Sequence, residues 1–246
     1  MIVSRQNKIV KDICSLKDKK GRRERGEYLI EGEKAVKEAV ERGKEVSIIL
    51  GEAVLIAPYL GMGLNAVEVS REIADFCADS VTPQGIVAAV KLDKKPLKKP
   101  QGVCVVLDGV KDPGNVGTVI RTAAALGIKS VYLIDCADAY SPKCVRSSMC
   151  GIYFVDIYAL SYEEAENIFD GADLYIADMG GENVFDMKAE DDFCLVIGSE
   201  SHGVSEFFRK RAKKTIAIPM SANMESLNAA ISCSIILYQL LKKPII

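Results

Sequence analysis

The sequence predicts an α/β protein of two domains, and three observations support this prediction. Short apolar runs alternate with helix-like segments along most of the chain. The segment Lys91–Gly102 interrupts this alternation with two prolines and five lysines, as an exposed linker would. The apolar runs after it are nearly continuous, which is typical of parallel strands covered by helices on both faces. We therefore expect a small α/β domain at residues 1–95, a linker at 96–101 and a parallel-sheet domain at 102–246.

The first domain is expected to begin with a basic helix and then to alternate strands with helices. The expected elements are, in order, strand Tyr28–Ile30, helix Glu33–Arg42, strand Val46–Leu50, a further helix, strand Ala66–Val69, helix Arg71–Ala78 and strand Ile86–Val90. Together they predict a domain of modest size with its own small core.

The second domain is expected to repeat a strand and a helix several times. The apolar runs that predict strands are Val103–Leu107, Val131–Ile134, Phe154–Ile157, Leu174–Ala177, Phe193–Ile197 and Thr215–Ile218. The expected helices are Val116–Leu126, Tyr162–Phe169 and a closing helix at about Ser226–Leu241. Ligands of such sheets bind at the carboxyl ends of the strands, so the loops after these strands are the first place to seek chemistry.

The composition excludes several classes of protein. Hydrophobic residues make up 49% of the chain and charged residues 27%, which is ordinary for a folded domain and unlike a disordered chain. No uncharged apolar stretch reaches the roughly 18–20 residues that a membrane span needs. The first twelve residues contain no apolar signal region, so we expect a cytoplasmic protein.

Familiar ligand motifs are absent from the sequence. No two of the eight cysteines have C-x-x-C spacing, and the single histidine, His202, cannot complete a zinc set, so neither a metal site nor a disulfide framework is expected. Neither the dinucleotide fingerprint nor the P-loop pattern occurs. The stretch Gly198–Gly203 contains Ser, Glu and His but does not fit the G-x-S-x-G pattern of hydrolases.

Charge is unevenly distributed along the chain. Residues 1–100 carry a net positive charge and the remainder a net negative one, although the whole chain has a formal charge of −2. The first 25 residues are the most basic part, with nine Lys and Arg against three Asp and Glu. A polyanion-binding surface and a merely solvated helix face both explain this segment.

Three loops after predicted strands carry most of the polar candidates. In the first, a Pro-Gly turn leads to a helix expected to start near Asn115, a preferred capping residue. Gly117 would let a backbone or ligand approach closely, and Arg121 lies on the same side one turn later. Arg121 either forms a salt bridge with a carboxylate of this half or contacts an anionic or hydroxyl-bearing substrate.

The other two loops also place polar residues directly after a predicted strand. In the second, a buried strand runs into an acidic turn bracketed by Gly198 and Gly203, and Glu200 is either a charge near the next helix or a site carboxylate. In the third, a strand ends near Ile218, and Ser226 or Asn228 opens the last helix. Capping would explain one of these two residues but not the whole polar set.

Taken together, the three loops read N-x-G-x3-R-T-A, G-x-E-x2-G and I-P-M-x4-E-S-L-N. This order resembles the three motifs of SpoU-type (TrmH-like) RNA ribose 2′-O-methyltransferases of the SPOUT class. The N-terminal part is similar to the accessory domain of that family. The similar stretches there are Ser4–Lys11, Lys20–Arg23, Tyr28–Gly32 and Thr82–Val90.

The resemblance implies a catalytic domain with a parallel sheet and a C-terminal trefoil knot, which works as a homodimer and holds S-adenosylmethionine in the knot. The implied cofactor-binding positions are Gly198, Ile218, Pro219, Met220 and Leu227. The implied substrate or catalytic positions are Asn115, Arg121, Glu200, Ser226 and Asn228. No metal and no membrane are implied.

The family candidate for deprotonating the ribose hydroxyl is the position of Arg121. A guanidinium stays protonated at any working pH, so we expect the charged Arg121 to hold the adjacent phosphate while Glu200 or water takes the proton. RNA also fits the basic N-terminal segment, where Lys11, Lys20, Arg22 and Arg23 are the expected contacts.

Ribosomal RNA is the first expected substrate of such an enzyme, and transfer RNA is the second. A catalytically idle RNA-binding protein of the same fold and a SPOUT enzyme acting on a base are the alternatives.

Overall fold

The computed structural model describes residues 1–93, 95–188, 191–221, 223–224 and 226–241. The chain is an α/β protein, as expected, and it forms two compact units. Unit 1 comprises Met1–Lys94 together with the later segment Tyr140–Tyr153. Unit 2 comprises Lys95–Ala139 and Phe154–Ile246. The sequence did not predict that a segment from the second half packs with the first.

The first part of the chain follows the expected order of elements. It contains α1 (Lys8–Ser15), α2 (Lys19–Arg25), β1 (Glu27–Glu31), α3 (Glu33–Glu41), β2 (Val46–Gly51), α4 (Ala53–Gly61), β3 (Ala66–Glu68), α5 (Arg71–Cys77) and β4 (Ile86–Lys91). The four strands form one sheet in the order β1-β4-β2-β3, in which only β2 and β3 are parallel. The basic segment expected as one helix is two helices, α1 and α2.

One part of the core of unit 1 lies between α1, α5 and the sheet. On α1, the apolar side chains recur three residues apart, so Val10 and Ile13 lie on one buried face and pack with Ile73 of α5. Side-chain caps fix where both helices begin, since Asn7 Oδ1 accepts from Ile9 N and Ser70 Oγ accepts from Ile73 N.

Arg22 is not a surface residue, which corrects one expectation. Its side chain is almost fully buried, and Nη1 donates to the carbonyl oxygens of Leu16 and Lys17, each at 2.8 Å. These carbonyls follow the end of α1, where a helix leaves carbonyl groups without helical partners. Arg22 therefore satisfies the end of α1 and is removed from the expected RNA contacts. Lys11, Lys20 and Arg23 are exposed.

The later part of the chain contains both expected and unexpected elements. They are β5 (Cys104–Asp108), α6 (Pro113–Ala125), β6 (Ser130–Ile134), α7 (Pro142–Ser147), β7 (Asp156–Leu160), α8 (Tyr162–Ile168), β8 (Leu174–Asn183), β9 (Cys194–Gly198), α9 (Glu206–Arg209), β10 (Lys214–Ala217) and α10 (Ala229–Leu241). Helices α7 and α9 were not predicted. The strand expected at Phe154–Ile157 begins two residues later, because Gly151–Tyr153 forms a tight helical turn before it.

Helix α7 belongs to unit 1, where it packs against β1. Arg146 of α7 forms ion pairs with Glu31 at 2.8 Å and Asp79 at 2.6 Å. The hydroxyl of Tyr153 donates to the carbonyl oxygen of Ala35 at 3.1 Å. Specific polar contacts therefore hold this segment in unit 1.

Unit 2 is built on a six-stranded sheet in the order β10-β8-β9-β5-β6-β7. Every neighbouring pair is parallel, which confirms the parallel sheet expected from the continuous apolar runs. One part of the core contains Val106, Tyr132 and Val196 from the strands and Phe208 from α9. None of the helices in the described part of the chain has the length and apolar character that crossing a membrane requires.

Candidate active site

The three motif loops of unit 2 meet at the carboxyl edge of the parallel sheet. Strands β5 and β9 are neighbours, and Asp108 at the end of β5 pairs in register with Gly198 at the end of β9. The first two loops therefore leave the sheet side by side. The third loop follows β10, at the end of the sheet. Because the strands are parallel, the loops that follow them all leave the same edge of the sheet. This is the edge at which parallel sheets bind their ligands.

In the first loop, the residue that caps α6 is Asp112 and not Asn115. The Asp112 carboxylate accepts from the backbone N–H of Asn115 at 3.0 Å, and Pro113 occupies the first helical position. The helix expected to start near Asn115 therefore starts earlier. Asn115 lies within the first turn, and its side-chain amide is free to contact the other loops.

The second loop is a tight turn that needs both of its glycines. Ser199 and Gly203 exchange two backbone hydrogen bonds, of 3.1 and 2.9 Å, which close the turn. A Cβ on Gly198 would lie 2.0 Å from the carbonyl carbon of Gly203, so no side chain fits there. Gly203 has a φ of +66°, a conformation that favours glycine. Glu200 lies within this turn and is exposed.

The end of this turn is tied to the sheet by Asp108, a buried carboxylate that the sequence analysis did not single out. Asp108 accepts from the backbone N–H of Ser205 and from the hydroxyl of Tyr162, both at 2.6 Å. Burial and the hydrogen bond to this carboxylate raise the pKa of Tyr162 to about 12. Asp108 thus fixes where the chain leaves the Glu200 turn.

In the third loop, Asn228 caps α10. Its Oδ1 accepts from the backbone N–H groups of Ala230 and Ile231, at 3.0 and 3.2 Å. Of the two residues that the sequence left open as the helix opener, Asn228 therefore has the capping role, and the helix begins at Ala229. Ser226 is exposed. Glu225 of the same motif lies outside the described residues.

A chain of side-chain hydrogen bonds joins the three loops. Asn228 Nδ2 donates to Asn115 Oδ1 at 2.9 Å, and Asn115 Nδ2 donates to a carboxylate oxygen of Glu200. Since the start of α10 fixes Asn228 Oδ1, the amide hydrogens of Asn228 must face Asn115. The same argument then directs the amide hydrogens of Asn115 to Glu200, which accepts. The network thus links Glu200 directly to Asn115 of α6 and, through Asn115, to the start of α10.

Arg121 lies outside this network. It is exposed on α6, and within the described part of the chain its guanidinium has neither a hydrogen bond nor an ion pair. The salt bridge considered from the sequence is therefore not formed with any described carboxylate. A guanidinium without a partner among the described residues is available for an anionic ligand group.

A cavity of about 240 Å³ adjoins these loops. Four of the five expected cofactor positions line it, and so do two expected catalytic positions. These residues are Gly198, Ile218, Met220 and Leu227, with Glu200 and Ser226. Asn115, Arg121, Pro219 and Asn228 are not among its described lining residues.

A bulge in β8 supplies lining residues that the sequence analysis missed. The pairing of β10 with β8 jumps from Thr215–Ile176 to Ile216–Glu182, so residues 177–181 of β8 have no partner in that ladder. Asp178 and Met179 of this bulge face the cavity. The predicted strand ended at Ala177, so the rule that ligands lie at the carboxyl ends of strands would have pointed to Asp178.

The Asp178 carboxylate is held by a cation. Arg209 Nη2 donates to Asp178 Oδ2 at 2.5 Å, and Arg209 Nε donates to the carbonyl oxygen of Val204 at 2.9 Å. Burial alone would raise the pKa of Asp178, but the hydrogen bonds from Arg209 and from the backbone N–H of Gly180 outweigh it and lower that pKa. The cavity thus has a carboxylate on its wall that is held in the ionised form.

The lining combines apolar surface with carboxylate oxygens that can accept hydrogen bonds. Ile197, Ile216, Leu227 and Ile236 supply apolar surface, and Asp178 and Glu200 supply carboxylates. Gly198, whose Cβ position is filled by the backbone of Gly203, contributes main-chain atoms to the lining. Within the described part of the chain, His, Cys, Asp and Glu side chains do not gather into any group of three or more that could hold a metal ion.

Comparison with known proteins decides the family. The model of the SpoU rRNA methylase family matches residues 102–238, and the model of an MRM3-like substrate-binding domain matches residues 7–88. The chain belongs to the SpoU rRNA methylase family. The resemblance derived from the three motifs is thereby confirmed, and the matched region contains all three motif loops.

Alignments with relatives cover almost the whole chain. It is 31% identical to the 23S rRNA (guanosine(2553)-2′-O)-methyltransferase RlmP of Bacillus subtilis, covering 97% of this chain and 98% of that protein. It is 30% identical to an uncharacterized tRNA/rRNA methyltransferase of Synechocystis, covering 97% and 92%. The AdoMet-bound rRNA methyltransferase of Sinorhizobium meliloti aligns with a TM-score of 0.88 at 28% identity, covering 97% of this chain and 96% of that one.

Proposed function

We propose that this SpoU-family protein is an S-adenosylmethionine-dependent methyltransferase that methylates the ribose 2′-hydroxyl of ribosomal RNA. The observation that carries the proposal is the hydrogen-bonded chain from Asn228 through Asn115 to Glu200, beside a cavity lined by the expected cofactor positions. The names of relatives, including RlmP of Bacillus subtilis, support the choice of ribosomal RNA.

The cavity fits the cofactor by the chemistry of its lining. S-adenosylmethionine supplies a methyl group already activated on a sulfonium, so the protein has to bind it and orient the acceptor. Gly198, Ile218, Met220 and Leu227 would hold it through backbone groups and apolar contact. Asp178, held by Arg209, adds carboxylate oxygens that can accept hydrogen bonds from the cofactor. The AdoMet-bound enzyme of Sinorhizobium meliloti supports this assignment.

The acceptor hydroxyl must lose a proton as the methyl group arrives. Two described carboxylates line the cavity, and Asp178 is paired with Arg209. Glu200 is exposed, and Asn115 positions it by donating to one of its oxygens. We assign proton acceptance to Glu200, directly or through a water molecule. The charged Arg121 would hold the phosphate next to the ribose, since it is exposed and its guanidinium is unpaired among the described residues.

The pH dependence of methyl transfer distinguishes Glu200 from solvent as the proton acceptor. In the wild-type protein we expect the rate to fall on the acidic side, because a general base accepts a proton only in its unprotonated form. Glu200→Gln should remove that fall and lower the maximal rate. An acidic fall that persists unchanged in Glu200→Gln would contradict this role.

Unit 1 is the part of the chain assigned to RNA binding. Residues 7–88 match a substrate-binding domain, and Lys11, Lys20 and Arg23 are exposed cations of that region. They would neutralise phosphates, which supplies affinity without reading sequence. The family resemblance further supports a trefoil knot in the C-terminal domain, a homodimer formed through it and a cytoplasmic location, which complete the proposal.

The experiment offers labelled S-adenosylmethionine and RNA from cells that lack the gene, separated into ribosomal and transfer RNA. We expect label in ribosomal RNA with the wild-type protein and at least a tenfold loss with Arg121→Ala. Lys129→Ala, which changes an exposed cation of unit 2 at the amino end of β6, away from the motif loops, is the matched control and should retain activity. Label in transfer RNA alone would show that transfer RNA, and not ribosomal RNA, is the substrate. Failure to bind the cofactor, measured by calorimetry, would overturn the enzymatic proposal.

A further inference from the structure

Two cysteines that are distant in the sequence meet in unit 1, outside the proposed active site. Cys14 lies on α1, and Cys77 is the last residue of α5. Their sulfur atoms are 3.8 Å apart. Cys14 is partly exposed whereas Cys77 is buried. A separation of 63 positions gives no C-x-x-C signal, so the sequence could not pair them.

The surroundings of this pair activate Cys14. Lys17 lies one turn further along and donates to the carbonyl oxygen of Phe76 at 2.8 Å, which holds its ammonium group beside the pair. The hydrogen bond with Cys77, together with the charge of Lys17, lowers the pKa of Cys14 to about 7. The hydrogen bond to Cys14 and burial raise the pKa of Cys77. Cys14 is thus the more exposed and the more acidic of the two thiols, and Cys77 is a buried thiol in contact with it.

We propose that Cys14 and Cys77 form a peroxide-sensitive dithiol, which closes reversibly into a disulfide that links α1 to α5. The inference goes beyond methyl transfer and does not depend on it. Its basis is the contact between the two sulfur atoms and their unequal exposure. A nucleophile that solvent can reach is paired with a resolving thiol that solvent cannot reach.

The chemistry balances with hydrogen peroxide or an organic hydroperoxide as the oxidant. The Cys14 thiolate attacks the terminal peroxide oxygen, the O–O bond breaks, and a sulfenic acid forms as hydroxide or alkoxide leaves. The Cys77 thiol then attacks the Cys14 sulfur, and the hydroxyl group of the sulfenic acid leaves as water. The two thiols lose two electrons and two protons in all. The sulfur atoms must approach from 3.8 Å to about 2.05 Å, the length of a disulfide bond.

A second cysteine pair serves as the matched control. Cys104 and Cys194 are register partners on β5 and β9, but both are buried in the core of unit 2. Like Cys14 and Cys77, these two cysteines lie close to each other, but neither of them is exposed to solvent. Cys136 is partly exposed, but burial raises its pKa to about 11, so it is a poor nucleophile at neutral pH.

The test exposes the full-length protein briefly to hydrogen peroxide, blocks free thiols in denaturant and maps disulfide-linked peptides by mass spectrometry. We expect a Cys14–Cys77 cross-link that a thiol reductant reverses. The cross-link should be absent in Cys14→Ser and present in Cys104→Ser. In Cys77→Ala, dimedone should capture Cys14 as a sulfenic acid. Absence of the Cys14–Cys77 peptide from folded, peroxide-treated wild-type protein would overturn the proposal.

A rate measurement gives an independent test that requires no oxidant. At pH 7, iodoacetamide should alkylate Cys14 at least tenfold faster than Cys150, whose pKa burial raises. Lys17→Gln should slow the reaction of Cys14 severalfold and leave Cys150 unchanged. Equal alkylation rates of Cys14 and Cys150 in the wild-type protein would contradict the proposed site.

Discussion

The side-chain amide of Asn228 donates to the amide oxygen of Asn115 over 2.9 Å, across 113 positions of sequence. The contact joins the cap of the last helix to the first turn of α6. It also fixes which way the Asn115 amide faces, and therefore which of its atoms meets Glu200. The helix start and the proposed proton acceptor are thus parts of one hydrogen-bonded unit.

Asn228→Asp separates the two functions of this residue. Aspartate caps a helix as well as asparagine does, so we expect the free energy of unfolding to change by less than about 0.5 kcal/mol. The variant presents a carboxylate oxygen to Asn115 Oδ1 where an amide hydrogen stood, and at least a tenfold loss of kcat is expected. Chemical denaturation and methyl-transfer kinetics measure the two effects. Full activity in Asn228→Asp would show that the network does not position Glu200.

Gly198→Ala should destabilise the protein and weaken cofactor binding, because its Cβ would lie 2.0 Å from the carbonyl carbon of Gly203. Overpacking of this kind costs about 1–3 kcal/mol or more. Gly180→Ala is the control, since the nearest atom to its Cβ would be 3.9 Å away. Urea unfolding and calorimetric titration with S-adenosylmethionine measure both effects. Equal behaviour of the two variants would refute the close approach in the Glu200 turn.

Arg22→Ala and Arg23→Ala are expected to behave differently although the residues are adjacent. The buried guanidinium of Arg22 satisfies the carbonyls of Leu16 and Lys17, so its loss should cost about 2–3 kcal/mol of unfolding free energy. Arg23 is exposed, and its replacement should leave stability within about 0.5 kcal/mol. Thermal and urea unfolding distinguish them. A stable Arg22→Ala variant would contradict the buried role.

RNA affinity should fall steeply with salt if the exposed cations of unit 1 bind phosphates. Replacing Lys11, Lys20 and Arg23 together by alanine should weaken binding at low salt. It should also make the slope of log affinity against log salt less negative, by roughly 0.7–0.9 for each phosphate that the variant no longer neutralises. Filter binding at several salt concentrations measures this. A slope unchanged from that of the wild type would remove these residues from the RNA surface.

Acid should weaken the contribution of Asp178 to stability. Arg209 and Gly180 hold the pKa of this carboxyl below its usual value, so the ionised form stabilises the fold. That contribution is present above the pKa of the unfolded chain and disappears as the pH falls through the folded-state pKa. The difference in unfolding free energy between wild type and Asp178→Asn should therefore shrink from about pH 7 to about pH 3.

Urea unfolding at several pH values measures this difference, with Arg209→Gln as the companion variant. Arg209→Gln removes the main partner and should flatten the dependence on pH. A difference between wild type and Asp178→Asn that stays constant with pH would contradict the ion pair.

The strands of the parallel sheet were predicted from the sequence more accurately than the side-chain contacts were. Continuous apolar runs predicted the parallel strands β5, β6 and β9 to within a residue or so, because such strands are buried on both faces. The cap of α6 was misassigned because Asp112 and Asn115 both suit a cap. Pro113 at the first helical position was the available signal for Asp112.

Other features depend on tertiary packing, which single-sequence patterns do not encode. The burial of Arg22 follows from the position of α2 beside the end of α1, not from its neighbours in the basic segment. The packing of Tyr140–Tyr153 in unit 1 follows from contacts such as that between Arg146 and Glu31. The bulge at residues 177–181 depends on the register of β10, which no local pattern reports.

The position of the transferred methyl group tests the central claim most directly. Ribosomal RNA methylated by the protein would be digested with a nuclease that requires a free 2′-hydroxyl, and the products would be analysed by mass spectrometry. We predict a nuclease-resistant dinucleotide with the methyl group on the ribose of its 5′ nucleotide, absent in Arg121→Ala. Methyl label recovered only on a base would contradict the assignment of ribose 2′-O-methylation.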